Sequence, residues 1–355
     1  MKEEVVYITG AGLSAVADLP VMSNFLEKAK DIYLKNPEKY SHFQSVINYI
    51  NDLSSIKNYF SSNLHDIEEI LSIIEMAETV GGKEEIGFRK FIRETIEYYT
   101  PKHEQIDDLK INHMNFLGEE RFYQLFGAFI LSLTNVSYKP RAVPVNRIRI
   151  TQNRRYEINF YANKDVKNTY TIITLNYDRL VESIFDYISN HPCLIPNEES
   201  LFFRENNGLN LYKLHGSIDK EIIPPTWNKI LNTHVQKAWE GAYNALKNAK
   251  HIRILGYSLP KSDSYIKYLF KAAIAENNYL KTIDIICLDD ENCSVEKRFQ
   301  KFINYNLRFK NVDLTDYLKK FYEPLRSPHI DGIFNAGESK QLAMCERIHE
   351  DFMKN

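Results

Sequence analysis

Paired cysteines are missing from this 355-residue chain: Cys193, Cys287, Cys293 and Cys345 stand singly, with no Cys-x-x-Cys among them. That excludes a zinc ribbon and a disulfide framework, so no metal is expected, and it suits a reducing compartment. An excess of one charge is missing too. Lys and Arg number 45 against 47 Asp and Glu, a net charge of -2, which gives no overall pull towards nucleic acid or a membrane surface. No apolar run approaches the roughly 20 residues of a membrane span. The start, Met1-Lys2-Glu3-Glu4, is polar, and the apolar run behind it is only strand-length. No signal peptide is therefore expected, and a cytoplasmic location is. What is present is hydrophobic material, 44% of residues, enough for a sizeable core in one large domain with an insertion, or in two domains.

The stretch Thr171-Ile172-Ile173-Thr174-Leu175-Asn176-Tyr177-Asp178 organises the rest. Its β-branched run has the composition of a buried strand. It stops at Asn176 and Asp178, and Leu180, Val181 and Ile184 resume at helical spacing. A strand ending in polar residues before a helix is where an open α/β sheet places its ligand. Either residue could equally cap the following helix.

The same pattern recurs. Glu4–Thr9 reads as a first strand, followed at once by Gly10-Ala11-Gly12-Leu13-Ser14-Ala15. Glycines there allow a tight turn and let backbone N–H groups approach a phosphate. The third glycine of the common dinucleotide fingerprint is absent, since position 15 is Ala15. Leu209–Leu214 reads as a strand ending at His215-Gly216-Ser217, and His251–Leu255 as one ending at Gly256-Tyr257-Ser258-Leu259-Pro260. Ile283–Leu288 reads as the last strand, ending at Asp289-Asp290, where an acidic residue can hold both hydroxyls of a ribose. From Asn24 to about Asn135 the apolar spacing is helical, which makes this a helical insertion between the first and second strands. It ends in a basic stretch: Arg147-Ile148-Arg149-Ile150 alternates and, through Arg154 and Arg155, turns into Tyr156–Phe160, describing a hairpin with one basic face. That face is either a guarded sheet edge or a site for nucleic acid. The C-terminal part, 321–355, reads as a helical tail. Strands alternating with helices make the whole an α/β protein with a doubly wound, mainly parallel sheet.

Gly10-Ala11-Gly12-Leu13-Ser14, Leu175-Asn176-Tyr177-Asp178, Lys213-Leu214-His215-Gly216-Ser217 and Gly256-Tyr257-Ser258-Leu259-Pro260 together resemble the sirtuin-like family. They look most like its bacterial branch, whose members hydrolyse NAD in anti-phage defence. The resemblance implies a Rossmann-like sheet over 1–24 and 168–320, with 25–167 inserted. It implies an NAD glycohydrolase that releases nicotinamide and ADP-ribose. Asn176 and His215 take the catalytic positions, Asn176 orienting the attacking water. Gly10, Ala11, Gly12 and Ser14 match the turn that holds the NAD pyrophosphate, and Asp178 lies near the nicotinamide carboxamide. Gly256, Ser258 and Asp289 match the adenosine side. Two departures count against acyl-lysine turnover: the four zinc cysteines are absent, and Leu19-Pro20 is followed by Val21-Met22-Ser23 where deacylating sirtuins carry Asp-Phe-Arg. A protein deacylase and an NAD- or ADP-ribose-sensing subunit without turnover are the rival expectations. An unchecked NADase is toxic, so control by self-assembly or by a separately encoded sensor or activator protein is expected.

Overall fold

A computed structural model describes residues 2–53, 56, 59, 67–81, 87–101, 117, 121–143, 155–163, 166–191, 193–196, 208–223, 233–260, 263–326, 340–341 and 345–354. Its strands are β1 (Glu3–Thr9), β2 (Val136–Val143), β3 (Arg155–Ala162), β4 (Asn168–Thr174), β5 (Leu194–Pro196), β6 (Leu209–Lys213), β7 (Ala249–Leu255), β8 (Thr282–Ile286), β9 (Leu307–Lys310) and β10 (Lys340–Gln341). Its helices are α1 (Ala11–Ser14), α2 (Phe25–Lys35), α3 (Ser41–Asp52), α4 (Ile67–Gly81), α5 (Phe88–Tyr99), α6 (Arg121–Leu133), α7 (Leu180–Asn190), α8 (Thr233–Asn248), α9 (Ser264–Ala275), α10 (Ser294–Phe302), α11 (Leu314–Arg326) and α12 (Cys345–Lys354).

The last five residues of β1 are buried, as are the last five of β4. Strands apolar on both faces belong inside a parallel sheet covered on both sides. Such a sheet forms, in the order β6-β4-β1-β7-β8-β9, with every pairing parallel. Among its own strands the order runs third, second, first, fourth, fifth, sixth, that of a doubly wound dinucleotide-binding sheet. Val6, Ile8, Ile252 and Ile254 face α8, α9 and α10. Val5, Tyr7 and Ile172 face the other layer, which includes α2, α6, α7, α11 and α12. At the centre of that layer, α6 is buried from Phe122 to Leu133 except at Gln124, as a helix apolar all round must be.

The structure differs from the sequence reading in four places. Ile283–Leu288 is not the last strand, because β9 pairs beyond β8. The expected strand at Arg147–Ile150 lies outside the described residues; the strand that pairs antiparallel with β3 is β2, with Val143 opposite Arg155. Val136, Ser137 and Tyr138 are buried on β2, and Ile158 and Phe160 on β3. Arg147, Arg149 and Arg154 lie outside the described residues, and Arg155 opens β3. This hairpin belongs to a second sheet, β10-β2-β3-β5.

The fourth difference concerns the tail. Position 321 falls inside α11, and α12 is built into the core through buried Cys345, His349 and Phe352. Tyr7, Arg253, Asp284 and Arg308 are register partners across β1, β7, β8 and β9, one polar row on one face of the sheet. Helix α12 lies on that row. Glu346 meets Arg253, His349 meets Asp284 and Glu350 meets Arg308, three residues on one helix face by spacing.

Candidate active site

The carboxyl ends of β1, β4, β7, β8 and β9 open on one cavity of about 510 Å³. Its centre is the rim between β1 and β7, where the sheet's order reverses. Ligands of open α/β sheets bind at such a switch point, and the volume is that of a small-molecule site.

Gly10, Gly12 and Gly256 line this cavity, and they meet backbone to backbone. The Gly12 N–H donates to the Gly256 carbonyl at 2.9 Å, the Gly10 N–H to Leu255 at 3.0 Å and the Gly256 N–H to Ile286 at 2.9 Å. A Cβ on Gly12 would stand 2.8 Å from Gly256 Cα, and one on Gly256, whose φ is +61°, 2.5 Å from the Leu13 nitrogen. The sequence reading has the Gly10–Gly12 turn letting backbone N–H groups approach a phosphate, and Gly256 on the adenosine side. The N–H groups of Gly10, Gly12 and Gly256 are bonded to protein carbonyls, and glycine is required because two β–α turns touch. Ala11, also on the cavity, opens the short α1.

Ser14, Asn176 and Asp178 converge. The Asn176 Nδ2 donates to the Gly10 carbonyl at 3.0 Å and to Ser14 Oγ at 2.7 Å. Ser14 Oγ passes a hydrogen bond to Asp178 Oδ2 at 2.5 Å. The other carboxylate oxygen accepts the Leu180 N–H at 3.0 Å, so Asp178 does tie down the start of α7, as a capping reading expects. Lys213, at the end of β6, donates to the Asp178 carbonyl and pairs with Glu182 at 3.0 Å. The loop is therefore clamped from both sides, and all three side chains face the cavity.

His215 is placed otherwise. It is fully buried, 0% exposed, and is not among the residues lining the cavity. The chain folds back after it: Ile223 donates its N–H to the His215 carbonyl at 2.9 Å, around Gly216 at φ +77°. Two cavity residues stand against the imidazole. Tyr177 is one, ring centroids 5.9 Å apart, and Asp263 is the other, Oδ1 lying 3.7 Å from Nε2. Asp263 also accepts the Tyr257 hydroxyl at 2.8 Å.

On the adenosine side of the expected site, Gly256 and Ser258 line the cavity and Asp289 does not. Asp289 accepts the N–H groups of Val295 and Glu296, both at 2.8 Å. It is engaged at the first turn of α10, and a carboxylate so placed answers the unpaired N–H groups there. Cys287, Leu288 and Asp313 occupy the rim in its place. The sequence reading also missed the apolar wall of Phe25, Ile67, Ile92 and Ile96, because that wall is assembled from the inserted helices. It missed Asp263 as well, whose position before a helix looks like a plain cap.

One group of side chains among the described residues has metal-ligand proximity, Asp284, His349 and Glu350. Arg308 bonds both carboxylates there at 2.6 to 3.0 Å, so the group is an ion-pair network. Among the described residues no helix is long and apolar enough to cross a membrane.

Residues 170–309 match the family described as SIR2-like domain. No curated protein matches the chain. Among solved structures, a Sir2 complex with the inhibitor EX-527, 2'-O-acetyl-ADP-ribose and deacetylated p53 peptide overlays with 11% identity, over 90% of this chain and 93% of that one, at a TM-score of 0.33. A Sir2–p53 peptide–NAD+ complex overlays with 12% identity over 90% and 92%, at 0.34. Overlays at such scores carry no argument.

Proposed function

We propose that this chain, whose residues 170–309 match the SIR2-like domain family, is an NAD glycohydrolase that cleaves NAD to nicotinamide and ADP-ribose. The observation that carries the reading is the Gly10–Asn176–Ser14–Asp178 hydrogen-bond chain on a cavity at the sheet's switch point. Nicotinamide in NAD is a cationic leaving group, so no strong acid is needed to expel it. The site must favour an oxocarbenium-like sugar and hold a water against it. With its N–H directions held by Gly10 and Ser14, the Asn176 amide offers its oxygen, an acceptor, to that water. Asp178 fixes Ser14, and Ser14 fixes the amide.

On this reading residues 1–24 and 168–320 form the NAD-binding unit, and α2, α4 and α5 of the insertion at 25–167 wall its cavity. The biological role is an anti-phage effector that drains NAD once activated, through self-assembly or a separately encoded sensor or activator protein. The test is nicotinamide release from NAD by wild type and Asn176→Ala, with and without the products of neighbouring genes. Wild type should turn over, and Asn176→Ala should lose about 100-fold or more in kcat with an unchanged fold. Full activity in the variant sinks the reading. Release that depends strictly on an acylated peptide makes the protein a deacylase, and binding without turnover makes it a sensing subunit.

A further inference from the structure

We propose that Lys213 is a positioning residue for the cleavage: from outside the NAD cavity it fixes the turn that carries Asn176 and Asp178. This rests on the NAD glycohydrolase reading.

Lys213 ends β6, the edge strand of the main sheet. A lysine on an edge strand ordinarily keeps its head in water and guards the edge. This one does not. Its side chain is only 14% exposed, and its ammonium points at the turn after β4. It donates there to the Asp178 carbonyl, and to Glu182 Oε1 at 3.0 Å. The turn needs such a donor. The ladder of α7 starts at the Arg179 carbonyl, which takes the Ser183 N–H at 2.8 Å. The Asp178 carbonyl stands one residue ahead, outside that ladder, and a carbonyl so placed must find a partner elsewhere. Its neighbours are held by the same segment: the Leu214 N–H bonds Thr174 at 3.1 Å, and the Ile218 N–H bonds Tyr177 at 2.9 Å. Lys213 is the charged member of this set, and a charged donor makes the stronger hydrogen bond. On the cavity side, Gly10 and Ser14 hold the Asn176 amide. Asn176 therefore has its side chain fixed from one side and its turn from the other.

Lys213 borders a second cavity of about 660 Å³, lined also by Leu211, Ser217 and Ile223, and not the first. A side chain beside open space can be changed without opening a hole in the core, so its substitution tests the ammonium and not the packing. What the ammonium secures is the placement of water. The Asn176 amide oxygen must hold that water against the sugar as the bond to nicotinamide weakens, and a misplacement of about 1 Å can cost about 100-fold in rate. NAD itself is gripped by the rest of the cavity wall, so loss of the clamp should fall on kcat and spare binding.

The experiment measures kcat for nicotinamide release and the NAD dissociation constant for wild type, Lys213→Met, Lys213→Arg and Glu182→Gln, with folding checked by circular dichroism. Lys213→Met keeps the stem and loses the charge. Its kcat should fall about 10-fold or more, the scale of one hydrogen bond to a charged group. Its Kd should stay within about threefold of wild type, the scale of one weak contact. Lys213→Arg restores a cationic donor, with the second cavity as room for the larger guanidinium, and should return kcat to within about threefold of wild type. Glu182→Gln leaves the Asp178 carbonyl its donor and should also stay within about threefold. A Lys213→Met variant that keeps its kcat, a loss that sits in Kd, a Lys213→Arg variant no better than Lys213→Met, or a Glu182→Gln variant as damaged as Lys213→Met overturns the proposal. Should Lys213→Met fail to fold, Lys213→Gln, a shorter and neutral donor, takes its place with the same loss expected. A wild type that binds NAD and releases no nicotinamide brings down the hydrolase reading and this inference with it; an active wild type beside an equally active Lys213→Met brings down only the inference.

Discussion

Glu346→Ala takes one carboxylate from α12 and leaves Arg253 without its counter-charge. Arg253 sits in β7 between β1 and β8, 1% exposed. Its Nη1 donates to the Tyr7 hydroxyl at 2.6 Å and to Glu346 Oε1 at 3.0 Å, and its Nη2 donates to Glu346 Oε2 at 2.5 Å. Tyr170 adds a third donor to that carboxylate at 3.1 Å. Removing one partner of a buried pair costs about 3–5 kcal/mol, because an uncompensated charge stays behind. The Glu346 side chain is 33% exposed, so water can follow the truncation, and the low end, about 3 kcal/mol, is expected. Against a typical stability of about 5–15 kcal/mol that is a large fraction. Replacing both partners, Arg253→Met with Glu346→Leu, should return to within about 1 kcal/mol of wild type, since apolar residues of similar volume carry no desolvation penalty. Urea unfolding followed by circular dichroism gives both numbers. A loss below about 1 kcal/mol in Glu346→Ala, or a double variant no better than the single one, would refute the reasoning.

Two further outcomes follow from the geometry. Gly256→Ala forces a Cβ to 2.5 Å from the Leu13 nitrogen at φ +61° and should cost about 2 kcal/mol or more while weakening NAD binding; a variant with wild-type unfolding and an unchanged Kd would show that the two turns need not touch. Burial first, and then the neighbouring Arg253, pull the His349 imidazole down from the usual 6.5 to about 4, so below pH 6.5 the unfolded chain binds a proton that the folded chain refuses. Stability should therefore fall by about 3 kcal/mol as pH drops from 6.5 to 4, and His349→Gln should flatten that slope in urea unfolding. An equal slope in both proteins would remove His349 from the account.

Five strands of the main sheet were legible: β6 at Leu209–Lys213, and β1, β4, β7 and β8, whose β-branched runs bury both faces. β9 was not, because Leu307-Arg308-Phe309-Lys310 is half cationic and its charges are answered from other elements: Arg308 by Asp284 and Glu350, Lys310 by the Phe352 carbonyl. The same holds for Arg253, a cation in mid-strand whose partner waits on α12. Glycine at positions 10, 12 and 256 was legible as turn chemistry, but its cause was not, since each turn is crowded by the other and neither shows this by itself. Asn176, Ser14 and Asp178 came together as the strand-end pattern implied. His215 and Asp289 share that pattern and behave differently, one buried behind the wall and one engaged at a helix start. Position at a strand end names a rim, and only packing decides which side chains look into the cavity.

The sheet carries two polar assemblies, and the nature of their partners separates a scaffold from a site. In the row under α12, charge meets charge. Burial alone would raise the Asp284 carboxyl, yet hydrogen bonds from Arg308 and His349 hold it below the usual carboxylate range, and Arg253 and Arg308 are each bonded by carboxylates of α12. Such a network is closed, and adding a cation to it would mean displacing an arginine. At the rim, Asp178 is held by a serine hydroxyl and a backbone N–H. Those neutral donors fix a carboxylate without cancelling its charge. A carboxylate on that wall acts through a low-dielectric surround, which strengthens its field. A neutral sugar gains little from that field, whereas a sugar that becomes cationic as its bond to nicotinamide breaks gains most at the moment of cleavage.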